Sequence, residues 1–341
     1  VVLAFLFAPV SCAQKASSLT LHAVSTLNLA SEMGGAFMHP SRCDADGNLY
    51  IRKLATDRPL LGPIVKIDPD GKRVASFDPT SYAQLGLIRA DSFSPAADGG
   101  LYQIAQSGVA KPRVYVLHFS SDGAVNPPTR LDADFEVFTF AAFAGGNFLV
   151  SGLQRDPANH ADPGRNFTAV FSADGRELAQ LKFPGRTPAS AGKTTGETKL
   201  PLSPAAAPVS LDLAEAEAGS DGNLYVLRRS SPALVFVIAP SGDILRTLKI
   251  QTSLSPGGQP IAFHLSENRI AIAFRKTNDS DQKQTDSIVV ADAQTGRKIA
   301  AYTNPLGSSS MFACYAANEG VFTFLELADG NAFHLTRAVP Q

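Results

Sequence analysis

The chain is poor in several things at once. It has three cysteines among 341 residues, and only Cys43 and Cys314 lie beyond the expected N-terminal signal, too few for a thiolate metal cluster. It has no charge excess: 30 basic residues stand against 31 acidic ones, so nothing drives it electrostatically toward nucleic acid, and none is expected as a partner. No apolar run has the length of a membrane-spanning helix. No segment sustains a helical period of hydrophobicity. There is no nucleophile elbow, no His-Glu-x-x-His pair and no recognisable triad order, so no catalytic signature announces an enzyme.

What is present is glycine and proline, 27 and 23 residues, scattered between short apolar stretches. That is the composition of an all-β chain with many strands and turns. Apolar residues make up 44% of the chain, ample for a core. Length alone suggests about two domains, yet closed β rings reach this size as one.

One stretch recurs almost unchanged. Asp46-Gly47-Asn48-Leu49-Tyr50-Ile51 is echoed by Asp221-Gly222-Asn223-Leu224-Tyr225-Val226 and more weakly by Asp98-Gly99-Gly100-Leu101-Tyr102. With degenerate forms, the turn returns at Gly47, Gly99, Gly146, Gly222, Asn268 and Glu319, at spacings of 52, 47, 76, 46 and 51 residues. A second turn follows each strand pair, as in Asp68-Pro69-Asp70-Gly71, Ser121-Asp122-Gly123 and Ala173-Asp174-Gly175. Each module therefore reads as four antiparallel strands; in the fourth these fall at about 209–216, 223–227, 233–238 and 244–250. A four-stranded repeat of ~45–50 residues is the mark of a β-propeller. Six turns predict six blades. The last module lacks a fourth strand, and Leu19 to Leu29 is expected to supply it and close the ring, removing free sheet edges. The long spacing is assigned to a Pro-, Ala-, Ser- and Thr-rich surface insertion at about 183–208 within a single domain of residues 14–341.

The Asp-Gly-Asn-Leu-Tyr turn, its following strand and the Asp-Pro-Asp-Gly turn resemble NHL-repeat and related six-bladed propellers. The likeness is closest in modules one and four. That superfamily includes binding scaffolds, calcium-dependent lactonases and lyases of amide or ester-like substrates, so the resemblance implies a fold and leaves the activity open.

Residues 1–10 form an apolar run followed by Ser11-Cys12-Ala13, which reads as the core of an export signal cleaved after Ala13. A buried first strand, or a lipid anchor at Cys12, are the alternatives. Either form of signal places the protein in a secreted or periplasmic setting, where a disulfide is permitted. Cys43 and Cys314 fall on the first strands of modules one and six. Ring closure makes those modules neighbours, so a disulfide across the seam is open, with two buried thiols as the alternative.

In such a meander the short Asp-Gly turns share one face. The long, irregular connections share the other, and there binding is expected. The starts of the first strands point from that face to the central channel and carry His39, Arg89, Asp91, Asp212 and His264. The ends of the second strands add Arg52, Arg155, Arg228-Arg229 and Arg275-Lys276, suited to a small anionic ligand or an acidic protein partner, or else simply solvated charges. Glu215 and Glu217 alternate with alanine on one strand and need partners if buried, Arg42 and Arg89 being candidates. The leading reading is thus an exported, monomeric, non-enzymatic binding module. The alternative is a calcium-dependent hydrolase, lactonase or lyase with Asp91, Asp212 and Glu217 as channel ligands.

Three weaker motifs carry bland readings. Asp44-Ala45-Asp46-Gly47 and Asp68-Pro69-Asp70-Gly71 lack the further ligands of a calcium loop and are expected to be turns. Gly192-Lys193-Thr194 lacks the glycine spacing and strand–helix context of a phosphate loop. His160, between Asp156 and Asp162, sits in a Pro- and Gly-bearing loop.

Overall fold

A computed structural model describes residues 19–29, 37–55, 57–108, 113–132, 135–154, 164–183, 213–252, 257–278, 283–304, 306, 310–327 and 333–341. The expected signal at 1–13, Cys12, Asp212, Arg155, His160, the Gly192-Lys193-Thr194 motif and all but the first residue of the 183–208 insertion lie outside them.

The chain is all-β and propeller-like. The first strand, β1 (Leu19–Asn28), stands alone in sequence. Four four-stranded antiparallel meanders account for the chain through residue 250. They are β2 (Phe37–Cys43) to β5 (Arg73–Phe77), with β3 (Leu49–Lys53) and β4 (Ile64–Ile67); β6 (Leu87–Pro95) to β9 (Val125–Arg130), with β7 (Leu101–Ser107) and β8 (Arg113–Phe119); β10 (Glu136–Ala142) to β13 (Glu177–Gln180), with β11 (Phe148–Gln154) and β12 (Arg165–Phe171); and β14 (Leu213–Ala218) to β17 (Ile244–Ile250), with β15 (Leu224–Arg228) and β16 (Ala233–Ile238). The remaining strands are β18 (Gln259–Ser266), β19 (Arg269–Thr277), β20 (Gln284–Asp292), β21 (Lys298–Thr303), β22 (Ser310–Ala316), β23 (Val321–Leu327) and β24 (Phe333–Pro340). They join β1 in an eight-stranded sheet of order β18-β19-β20-β21-β1-β24-β23-β22. Within it, β1 pairs antiparallel along β24, from Leu21↔Pro340 to Asn28↔His334. It meets β21 only at Leu19↔Tyr302 and Thr20↔Thr303, in parallel. Among the described residues no helix is long and apolar enough to cross a membrane.

The recurring turn has a local chemical cause. The Asp44 carboxylate accepts hydrogen bonds from the backbone N–H of Asp46 and Asn48, from the Asn48 amide and from the Tyr50 hydroxyl at 3.1 Å. In the second close copy Asp221 does the same for Asn223 and for Tyr225, again at 3.1 Å. The Asp-x-x-x-Asn and Asp-x-Asn patterns are Asx turns whose asparagine and tyrosine tether the following strand to the turn that starts it. Gly47 adopts φ +77° and Gly222 φ +79°, a left-handed backbone that a side chain would strain. Asp68 likewise binds the backbone N–H of Asp70 and Lys72, so both acidic loops are turns closed on themselves.

Alternation along the strands buries one face of each sheet against the next. Among the described residues six apolar clusters result, each shared by two neighbouring groups of strands, one of them between β22–β24 and β2–β4. Fully buried rings such as Phe77, Phe119, Phe171, Phe236 and Phe274 fill them, each contributing about 1.5–3 kcal/mol. The first strands of the groups follow one another around a closed cycle, β2-β6-β10-β14-β18-β22 and back to β2. At the seam Cys43 and Cys314 form a disulfide, with Cα atoms 5.7 Å apart, inside the usual range for the bond.

Candidate functional site

The closed cycle of first strands leaves a cavity of about 520 Å³ along its axis. It lies toward the strand ends from which the long connections leave. Every group of strands reaches it: Pro40 and Arg42 from β2, Ser92 from β6, Phe138 to Phe140 from β10, Glu215 from β14, Ile261 and Ala262 from β18, and Ser310 to Phe312 from β22. Arg229, just after β15, and Arg275, on β19, complete the wall.

The charged residues of this wall are unevenly committed. Arg42, buried at 4% exposure, reaches across the ring axis to Glu215, Nη1 to Oε2 at 2.9 Å, and also donates to the Ser41 carbonyl at 3.1 Å. Its Nε is buried without a hydrogen-bond partner in the protein. Burial pushes the Glu215 carboxyl above its ordinary value; Arg42, then His264 and Arg229, pull it back, but burial wins. Arg275 grips Asp286 through two parallel hydrogen bonds, 2.9 Å from Nε and 2.7 Å from Nη2, the strong bidentate form. The latter pair holds Arg275 above its usual value. Arg229 is exposed and, among the described residues, makes no hydrogen bond or ion pair.

The residues singled out from sequence are distributed as follows. Arg275 lines the cavity. Arg52 is buried and donates to the Ala90 carbonyl at 2.6 Å and the Asp91 carbonyl at 3.2 Å, so it pins β3 to β6 rather than forming an outer rim. Burial lowers its pKa, with Asp91 opposing. Asp91 ion-pairs with Arg89, which also reaches Glu136 at 4.0 Å; the cavity wall includes Ser92, the neighbour of Asp91, but neither Asp91 nor Arg89. Arg228 is buried at 3% exposure, not solvated. His264 is not at the start of its strand: it lies near the short-turn end of β18, paired with Ala271, two residues before the turn. There it is 1% exposed, its Nδ1 3.1 Å from Glu217 and its ring edge-on to Phe312. The other Glu217 oxygen accepts the Leu265 N–H at 2.7 Å. His39 falls on β2, but its side chain is outside what the structure describes, as is Asp212. Among the described residues no three His, Cys, Asp or Glu side chains come together to hold a metal ion. Of the proposed calcium ligands, Asp91 is held by Arg89 and Glu217 by His264.

Sequence reasoning missed the apolar half of the wall, Phe138, Phe140, Ile261, Met311 and Phe312, and placed Arg42 and Arg229 only as a salt-bridge partner and a rim charge. Alternation gave no signal there: Phe138, Thr139 and Phe140 all meet the wall, next to a slip in the pairing between Val137 and Thr139.

Comparison with known proteins adds little. No family model and no curated protein matches the chain. Among solved structures, a TolB-like protein from Agrobacterium tumefaciens is 13% identical, covers 95% of this chain and 100% of its own, and has a TM-score of 0.48. The Pan2 WD40 domain of Neurospora crassa is 10% identical over 92% of this chain and 81% of its own, at 0.47. A Bacteroides caccae protein of unknown function is 12% identical over 78% and 81%, at 0.47. Likenesses of this grade concern strand architecture at most and carry no function across.

Proposed function

We propose that the chain is an exported six-bladed propeller of the NHL-like kind, with β1 as the closing strand of its last blade. It serves as a binding module that holds a small anion in its axial cavity. The blade count is supported by the sixfold recurrence of the turn, the six inter-sheet cores and the closed cycle of first strands. Export is supported by the Cys43–Cys314 bond, which an oxidising compartment permits, and by the apolar run at 1–10.

The observation that carries the binding reading is the charge of the wall. Three arginines, Arg42, Arg229 and Arg275, line it with one acid, Glu215. A concave, largely preformed space with a few convergent charged groups is the usual form of a small-molecule site. An anion there gains from Arg229, whose guanidinium has no ion-pair partner among the described residues.

Thermal unfolding of the full chain with sulfate, phosphate, acetate and citrate, against sodium chloride of equal ionic strength, tests the reading. An anion at ~100 times its Kd stabilises by about 2.7 kcal/mol, a clear upward shift in Tm. The shift should vanish in Arg229→Gln. If no organic or inorganic anion moves the Tm beyond the chloride control, or if Arg229→Gln responds as the native chain does, the reading is wrong.

A further inference from the structure

We propose that the anion taken by this cavity is an organic acid of one net negative charge on a flat apolar body, its oxyanion on Arg229 and its body against Phe138, Ile261 and Met311. This rests on the reading of the cavity as an anion site and narrows it to a chemical class.

The charge follows from which cations are already matched. Arg275 is matched by Asp286 and Arg42 by Glu215. Arg229 is left, exposed and without an ion-pair partner among the described residues, so the wall carries one uncompensated positive charge. A monoanion neutralises it; a polyanion would bring surplus charge beside the Glu215 carboxylate. A carboxylate has two oxygens that one guanidinium can take through two parallel N–H donors.

The body follows from the other half of the wall. Pro40, Phe138, Ile261 and Met311, which keep accessible surface, gain nothing from an inorganic ion or a sugar, but an apolar body removes that surface from water. Phe138, at 36% exposure, is the one aromatic among the exposed large apolar residues described; five of the others, Val74, Val125, Leu178, Leu245 and Ile299, lie on the fourth strands of their groups. Among the described residues Ile88, at 38%, is the other exposed large apolar residue on a first strand, and it does not line the cavity. The companions of Phe138 are held from behind: Phe140 packs on Phe148 at 6.0 Å, and Phe312 on Phe324 at 5.8 Å and Phe322 at 6.1 Å. β10 and β22 stand on opposite sides of the cycle, so Phe138 and Met311 belong to opposite parts of the wall. A flat ring laid on the exposed Phe138 phenyl makes the ring-to-ring contact that aromatic groups favour, with Ile261 and Met311 as further apolar wall. A cavity of about 520 Å³ is within the range that encloses such a molecule.

Titration calorimetry on the full chain with acetate, benzoate, 2-naphthoate and the uncharged 2-naphthamide, at one pH and ionic strength, decides it. Naphthoate should bind about tenfold or more tightly than acetate, and naphthamide about tenfold or more weakly than naphthoate. Phe138→Ala should weaken naphthoate by about fivefold or more while leaving acetate unchanged. Arg229→Gln should reduce naphthoate to the level of naphthamide. Both variants change exposed side chains, and matching melts would show them folded. Acetate binding as tightly as naphthoate would overturn the apolar-body inference and leave the anion site standing. Naphthamide binding as tightly as naphthoate would overturn the anion site itself. Failure of all four to bind would overturn both.

Discussion

The ion pair that crosses the cavity can be broken from one side, and the response should depend on pH with a definite sign. In Arg42→Met the methionine covers much the same surface, but Glu215 loses the guanidinium 2.9 Å away while remaining buried. Removing one partner of a buried pair costs about 3–5 kcal/mol, because the other charge is left uncompensated. Glu215 can limit that loss by taking up a proton. Its carboxyl is already raised by burial, and Arg42 is the largest opposing influence, so the variant raises it further. A raised carboxyl binds more protons folded than unfolded in the window between its ordinary and its raised value. Stability therefore falls as pH rises through that window and returns as pH drops. The slope is at most ~1.4 kcal/mol per pH unit for one proton, so going from pH 7 to pH 5 should recover up to about 2.7 kcal/mol of the loss. Adding Glu215→Leu should restore most of the stability and abolish this pH dependence. Urea unfolding followed by far-UV circular dichroism, with the disulfide intact, measures both; the chain has no tryptophan to report by fluorescence. A loss below about 1 kcal/mol at pH 7, or an equal loss at both pH values, would show that the pair is not the buried, mutually dependent unit described.

The Cys43–Cys314 bond joins residues separated by 271 positions. On the chain-entropy relation, closing a loop of that size restrains the unfolded state by up to about 5.6 kcal/mol at 25 °C. The double Cys43→Ala/Cys314→Ala variant should lose 2–5 kcal/mol or so in urea unfolding and become insensitive to reductant; unchanged stability would argue against the bond in the folded protein. The axial site should also bind a permanently charged probe such as naphthalene-2-sulfonate more tightly as pH falls. Glu215, which faces Arg42, Arg229, His264 and Glu217, takes up a proton above the ordinary carboxylate range and leaves Arg42 without its counter-charge. Calorimetry between pH 7 and 5 reads this, and affinity independent of pH, or weaker at pH 5, would contradict it.

The repeat was legible because its chemistry is local. Asn48 and Tyr50 recur as Asn223 and Tyr225 within one hairpin each, although the carboxylate that holds them is Asp44 in one copy and Asp221, the counterpart of Asp46, in the other. The cavity wall was not legible in the same way. Each first strand carries an irregularity in its pairing: between Met38 and Arg42, Ala90 and Phe93, Val137 and Thr139, Leu213 and Glu215, Pro260 and Ala262, and Phe312 and Cys314. A bulge shifts every later side chain to the opposite face, so simple alternation loses track of which residues meet the axis. Arg52 shows a second limit. At a strand end it reads as a solvated charge, yet its stem runs inward and its head finds carbonyls on the neighbouring sheet.

By itself the sequence determined an all-β chain of repeated four-stranded meanders, the turns between them and a first strand suited to join the last sheet. Those features depend on glycine dihedrals, side-chain-to-backbone bonds and period-two burial, all satisfied within a few residues of each other. Only the tertiary structure decided that Arg42 reaches Glu215, that His264 belongs to Glu217 rather than to the axial cavity, and that Arg229 has no ion-pair partner among the described residues. Those outcomes are set by distances between residues from strands on different sheets. No local rule records them, because a charge is paired or left open only by what the closed ring places beside it.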